Sequence, residues 1–199
     1  MTDFPLYDHW AYDRIYRFDL IKQPDVLMFM FLYNQEFSAE VKRVNYDYYE
    51  PRCLHESSLS PSIHSIFANE LGYYEQAAQF FRFATRLDLD NYNRNTDQGL
   101  HLTSIAAAWM NIVYGFGGLR SDGPVLTFNP SIPREWQAYR FRLLYRGAIL
   151  QVSVGQETAE FKLVQVPATA SAIKVKIYGE EYLLDHSGLK LKIPQRFRQ

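Results

Sequence analysis

Cysteine is nearly missing from this chain, with Cys53 the one thiol in 199 residues. A lone thiol closes no internal disulfide, and without a second cysteine no cysteine cluster can hold zinc. The sequence therefore excludes a disulfide scaffold and fits a reducing compartment. Long apolar runs are missing too. The longest, Val26 to Tyr33, falls far short of the roughly 20 residues that cross a bilayer. The start, MTDFPLYDHW, is acidic and aromatic and lacks the basic segment of a signal peptide. A net charge of -1 supplies no basic field for nucleic acid or for an anionic membrane, so neither is an expected partner. A soluble cytoplasmic protein is the expectation.

What is present is a packed composition, 47% hydrophobic and 16% aromatic with 22% charged, which excludes disorder for most of the chain. At about 150 residues per domain the length allows one domain or two small ones. The charge is uneven: residues up to Gly118 carry 9 Lys and Arg against 15 Asp and Glu, and the remainder carries 12 against 7. The first part also holds four of the five histidines and 23 of the 32 aromatic residues. A boundary is expected at GFGGLRSDGP, where glycines and a proline interrupt regular structure. This gives a helical segment over residues 1–118 and a C-terminal β-sandwich domain over 119–199.

Ahead of the boundary the punctuation is helical. Pro24-Asp25 opens VLMFMFLY, an element apolar on every side that should be buried. Ser38 can cap SAEVKRVNYDYY, which Pro51 stops, and Ser60-Pro61 opens PSIHSIFANEL, which Gly72 ends. Residues 73–87 place Ala77, Phe80, Phe81 and Ala84 at helical spacing, and Thr103 or Ser104 can cap IAAAWMNIVYGF. The count is about five helices. Past the boundary the period changes to two in YRFRLLYRGAILQVSVG, AEFKLVQV, AIKVKIYGEEYLL and LKLKI, as antiparallel strands with one wet face require.

Most reactive side chains have plain readings. Cys53 lies in no visible nucleophile context and reads as a buried, inert thiol. His55, His64 and Glu56 fit no compact zinc spacing, and no metal is expected. The aromatic run YDYYEP is more readily core than a stacking platform. Two segments, HESSLSPS and GLHLTS, each place a histidine and hydroxyls before a helix. Unpaired N–H groups and a partial positive charge at a helix start suit an anion, and two such starts converging would make an anion site. Spacing alone favours the plainer reading, in which Ser60 and Thr103 or Ser104 are ordinary caps and the histidines are incidental.

The runs IKQPDVLMFMFLYNQEFSAEVKRVNYDYYEPRCLHESSLSPSIHSIFANELG, LDLDNYNRNTDQGLHLTSIAAAWMNIVYGFGGLR and LTFNPSIPREWQAYRFRLLYRG closely resemble the C-terminal part of glycoside hydrolase family 65, the family of maltose, kojibiose and trehalose phosphorylases and some related hydrolases. The likeness covers about Phe18 to Gly147, and the strand-rich end matches in character. It implies an α+β chain: C-terminal helices of an (α/α)6 barrel, then a small antiparallel β-sandwich. It also implies direct attack of phosphate on an anomeric carbon with inversion, one carboxylic acid protonating the leaving oxygen. The family's Lys-Gln pair for the non-reducing-end glucose matches Lys22 and Gln23. Its phosphate-facing serine loop and Gly-x-His segment match Ser57, Ser58 and Ser60, and Gly99 with His101. Inorganic phosphate is then a co-substrate beside an α-linked disaccharide, with no other cofactor.

The departure is the general acid. In the family it is a glutamate in a Trp-His-Glu segment upstream of everything matched here, and no Trp-His-Glu occurs in the sequence. Asp25, Glu50, Glu56 and Asp97 do not inherit the role by position. The expectation is the C-terminal portion of an inverting α-glucoside phosphorylase or hydrolase, inactive alone, whose partner is a separately encoded N-terminal part or a second copy. The alternative is a non-catalytic carbohydrate-binding or assembly module.

Overall fold

The computed structural model describes residues 6–92, 94, 96–167 and 172–198, so the first five residues of the acidic start lie outside the described residues. The chain divides into two compact units between Asn111 and Ile112, ahead of the glycine-rich segment. A π-helix over Asn111–Phe116 spans that division.

The first unit is helical, with seven α-helices among the described residues. Two single turns, α1 (Leu6–His9) and α2 (Tyr12–Ile15), precede α3 (Asp25–Leu32), α4 (Ala39–Tyr49), α5 (Ser60–Leu71), α6 (Tyr74–Asp90) and α7 (Leu102–Met110). Ser38 caps α4 as its sequence requires, its Oγ accepting from the Val41 N–H at 3.2 Å. Pro51 lies in the 3-10 turn Glu50–Arg52 that follows. Gly72 ends α5 in the left-handed region, at φ 86°. In α6, Ala77, Phe80, Ala84 and Leu87 form the buried stripe.

The apolar helix α3 departs from expectation, because only Leu27 and Met30 are buried while Phe29 and Leu32 are 53% and 57% exposed. Among the described residues α4 and α5 pack on it, and they cover only part of its circumference. The central helix is instead α5, buried continuously from Ser60 to Asn69. Small side chains let its neighbours approach, and their hydroxyls find partners across the contact: Ser65 Oγ donates to the Ala77 carbonyl at 2.8 Å. The expected serine and threonine caps of α5 and α7 also differ. Leu59 and His101 hold the cap positions without side-chain cap bonds. Ser60 and Ser104 lie inside their helices, and Ser104 Oγ donates to the Ala84 carbonyl at 2.7 Å.

The second unit is a sandwich of a four-stranded sheet, β2-β3-β4-β7, and a three-stranded sheet, β1-β5-β6. The strands are β1 (Leu126–Phe128), β2 (Ala138–Tyr145), β3 (Ala148–Gly155), β4 (Thr158–Gln165), β5 (Ile173–Ile177), β6 (Glu180–Leu184) and β7 (Leu189–Lys192). The alternation is met residue for residue: Ala148, Leu150, Val152 and Val154 of β3 point inward with Phe161 of β4 and Val175 of β5. All pairs are antiparallel except β1 with β5, which is parallel. Two hairpins turn through paired positive φ values, Arg146-Gly147 and Tyr178-Gly179, as tight primed turns require.

One glycine is demanded by space as well as by φ. Gly118 has φ 60°, and a Cβ there would stand 2.6 Å from the Asn129 carbonyl oxygen. Gly118→Ala is therefore expected to cost more than the roughly 1 kcal/mol of an unfavourable glycine replacement. A thermal midpoint unchanged from the wild type would show that the segment relaxes freely.

Candidate functional site

Lys22 and Gln23 sit at the start of α3 because a short backbone clasp holds them there. Ile21 N–H donates to the Arg52 carbonyl at 2.9 Å, and Leu54 N–H donates to the Ile21 carbonyl at 3.0 Å, a parallel bridge of Ile21 with Cys53. The clasp brings the 53–60 loop alongside the Lys-Gln pair. Ser57, buried in that loop, donates from Oγ to Gln23 Oε1 at 3.2 Å and accepts the Leu59 N–H at 3.2 Å. Ser58 is half-buried beside it.

A cavity of about 440 Å³ adjoins this arrangement, lined by Tyr7, Tyr12, Tyr16, Lys22, Gln23, Asp25 and His64 among others. Its size is within the range of about 300 to 1,000 Å³ usual for small-molecule sites. The Lys22 ammonium stands 4.2 Å over the Tyr7 ring. Glu56 fixes the first helical turn from the other side, accepting the Leu6 and Tyr7 backbone N–H groups. Aromatic faces with one amide and one ammonium are groups that suit a polyhydroxylated ring.

Under the loop lies a pair of imidazoles, His64 buried and His55 half-buried. His55 Nδ1 is 3.2 Å from Ser60 Oγ, and His64 Nδ1 is 2.8 Å from the Ser60 carbonyl oxygen. Their rings meet edge to face with centroids 4.5 Å apart. Burial, then the neighbouring His64, pushes His55 down to about 3. Burial pushes His64 down to about 4 against the opposing hydrogen bond to the Ser60 carbonyl. Both rings are neutral near pH 7. Burial also raises the Cys53 thiol, which stays protonated.

The other predicted segment is built on α6. His101 donates its backbone N–H to Asp88 Oδ2 at 2.9 Å, and its Nδ1 meets Asp88 Oδ1. That side-chain bond, then the backbone bond, holds the Asp88 carboxyl below the usual range. Gly99 is exposed, at φ 93°. The loop before α5 and the start of α7 meet α6 at different levels: the His55 ring stands 4.6 Å from that of Phe80, in the earlier half of α6, whereas His101 contacts Asp88 near its C-terminal end. The structure thus joins Gln23 and Ser57 directly, with Lys22 adjacent to Gln23 in the chain. Ser57, Ser58, Ser60, Gly99 and His101 are not in the lining of the cavity that holds Lys22 and Gln23.

Asp88, Tyr7 and the clasp at Ile21 escaped sequence reasoning. Asp88 falls in an ordinary acidic helix end, RLDLD, and nothing local marks which carboxylate meets His101.

The family model of the glycosyl hydrolase family 65 central catalytic domain matches residues 1–110, and that of the family's C-terminal domain matches 119–184. The chain is 42% identical over 180 residues to maltose phosphorylase of Bacillus subtilis, covering 90% of this chain and 23% of that one. It is 41% identical over 187 residues to alpha,alpha-trehalose phosphorylase of Thermoanaerobacter brockii, covering 94% and 24%. A solved structure, a putative kojibiose phosphorylase from the human microbiome, superposes with a TM-score of 0.88 at 51% identity, covering 96% of this chain and 25% of that one. The chain spans about a quarter of the length of these relatives. With both family models met in order, and with helices followed by a β-sandwich as the likeness implied, the chain belongs to glycosyl hydrolase family 65 and covers only the C-terminal part of its relatives.

Proposed function

We propose that this chain supplies sugar and phosphate contacts of an inverting α-glucoside phosphorylase whose general acid resides in the part of the family that it does not cover. Phosphate oxygen forms a bond to the anomeric carbon as the glycosidic bond breaks. The departing oxygen takes its proton from the missing glutamate, and the products are glucose 1-phosphate and the released sugar. Lys22 and Gln23 hold the glucose ring against the tyrosine-lined wall. Ser57, Ser58 and Ser60, with Gly99 and His101, take the phosphate, and Asp88 orients the His101 ring. The observation that carries this reading is the Ser57–Gln23 hydrogen bond, which couples the serine loop to the sugar pair beside a cavity of suitable size.

Each helix start offers about 0.3 to 1 kcal/mol per exposed anion contact, so isolated binding is weak. Titrating the polypeptide with inorganic phosphate is expected to move the backbone amide resonances of Ser58, Ser60 and His101 together, with millimolar affinity at best. His101→Ala should weaken it further. If these amides stay fixed at the highest phosphate concentration, or move with unrelated affinities, the phosphate assignment fails and the serines serve the fold alone.

An assembly role, the second reading, is favoured by the exposed apolar side chains of α3, α4 and α7.

A further inference from the structure

We propose that Cys53, His55 and His64 form a binding site for a zinc ion, with a fourth position left to water or an anion. The three side chains come from the clasped loop and the second turn of α5, and their donor atoms all lie within 4.8 Å of one another. Bond lengths of about 2.0 Å to nitrogen and 2.3 Å to sulfur put tetrahedral ligand atoms about 3.3 to 3.7 Å apart, so closure needs a contraction of about 1 Å. One sulfur and two imidazoles match zinc, which takes borderline-soft donors, and do not match calcium or magnesium, which take oxygen.

The orientation of His64 is the second, independent observation. The Ser60 carbonyl can only accept, so at 2.8 Å the His64 Nδ1 carries the hydrogen and Nε2 presents its lone pair. That Nε2 is buried and has no hydrogen-bond partner among the described residues, in a residue of 0% exposure. A buried nitrogen left without a donor costs free energy that an unoccupied hydrogen-bonding position does not repay. The arrangement also matches a metal-bound histidine, whose other ring nitrogen is fixed by a carbonyl in the outer shell.

His55 adds backbone evidence. It is one of five described non-glycine residues at positive φ, at 54°, and that left-handed turn sets its ring against His64. The turn costs energy wherever it is not required, and such residues concentrate at ligand clamps. Ser60 contacts both rings, through its carbonyl to His64 and its hydroxyl to His55, and so serves as the shared outer-shell partner. His64 is also among the residues that line the 440 Å³ cavity. Binding replaces the Cys53 thiol proton, which leaves to buffer, with a zinc–thiolate bond. The sequence hides this site because its third ligand is set by where α5 begins.

The test uses the purified chain, stripped with chelator, loaded with Zn2+ and dialysed into metal-free buffer, with metal counted by mass spectrometry. About one zinc per chain is expected. Co2+ should give a thiolate-to-cobalt charge-transfer band, since Cys53 is the only thiol. Cys53→Ser should abolish the band, and both it and His64→Gln should lower zinc affinity by more than the roughly 10- to 100-fold that losing an outer-shell partner costs. Far-ultraviolet circular dichroism of each variant controls for folding, and Cys53→Ala gives a second thiol-free form should the serine variant not fold. Zinc retained undiminished without Cys53 would place it on exposed histidines such as His9 or His186 and overturn the proposal. So would a folded wild type that retains no zinc and develops no cobalt band.

Discussion

A purified polypeptide of these 199 residues is expected to release neither glucose 1-phosphate nor glucose from maltose, kojibiose, nigerose or trehalose above the uncatalysed rate. On the function proposed above the general acid lies outside this chain, and loss of a positioned general acid removes about 100- to 10,000-fold on its own. Of the described carboxylates near Lys22 and Gln23, none is placed to take over. Glu56 is occupied by the Leu6 and Tyr7 amides. Burial raises Glu50 above the usual carboxylate range, but it does not line the cavity that holds Lys22 and Gln23. Asp25 does line it, yet is exposed to solvent, whereas a general acid of this type works in a water-excluded setting. Glucose 1-phosphate formed by the purified chain and abolished by Lys22→Ala would refute the expectation outright.

The same polypeptide should self-associate. Three helices carry solvent-facing apolar residues on a second face: Phe29 and Leu32 on α3 with Tyr33 at its C-terminal cap, Val41, Val44 and Tyr48 on α4, and Leu102, Ile105 and Trp109 on α7. Spacings of three, four and seven residues place each set on one side of its helix. Exposed apolar patches above roughly a few hundred Å² mark interfaces or aggregation. Size-exclusion chromatography with light scattering is expected to give masses above the 23.4 kDa of one chain, with binding of a hydrophobic dye. Val44→Glu with Ile105→Lys should shift the mass toward the monomer while changing stability by only about 0.5 kcal/mol per site, because neither side chain is buried. A monodisperse wild-type monomer that binds no dye would show that these faces need no cover.

The sandwich was the most legible part of the sequence. Inward residues at every second position of Ala148–Gly155 and Ile173–Ile177 record directly which face meets the core, since strand register leaves no other choice. Strand β1 was missed: three residues are too few for a period, and its partner β5 is distant in the chain. Among the helices, types and ends were readable from Ser38, Pro51 and Gly72, but their ranking by burial was not. Apolarity singled out α3, whereas position singles out α5, whose polar Ser62 and Ser65 are buried. At the site the residue types were visible and their joints were not. The contacts of Glu56 with Leu6 and of His101 with Asp88 bridge 50 and 13 positions, and no local pattern encodes them. The backbone clasp of Ile21 on Cys53 is equally silent, because a bridge made by N–H and C=O groups leaves no mark on side-chain identity.

The bond between Ser57 and Gln23 sets a thermodynamic relation between the two ligands proposed for this chain. A sugar that orders the Gln23 amide also orders the hydroxyl it accepts from, so less side-chain freedom remains for phosphate to remove. Because linkage is reciprocal, the factor by which sugar raises affinity for phosphate equals the factor by which phosphate raises affinity for sugar. Ser57→Ala, which deletes the donor, would drive that common factor toward one, so that each ligand binds as though the other were not there.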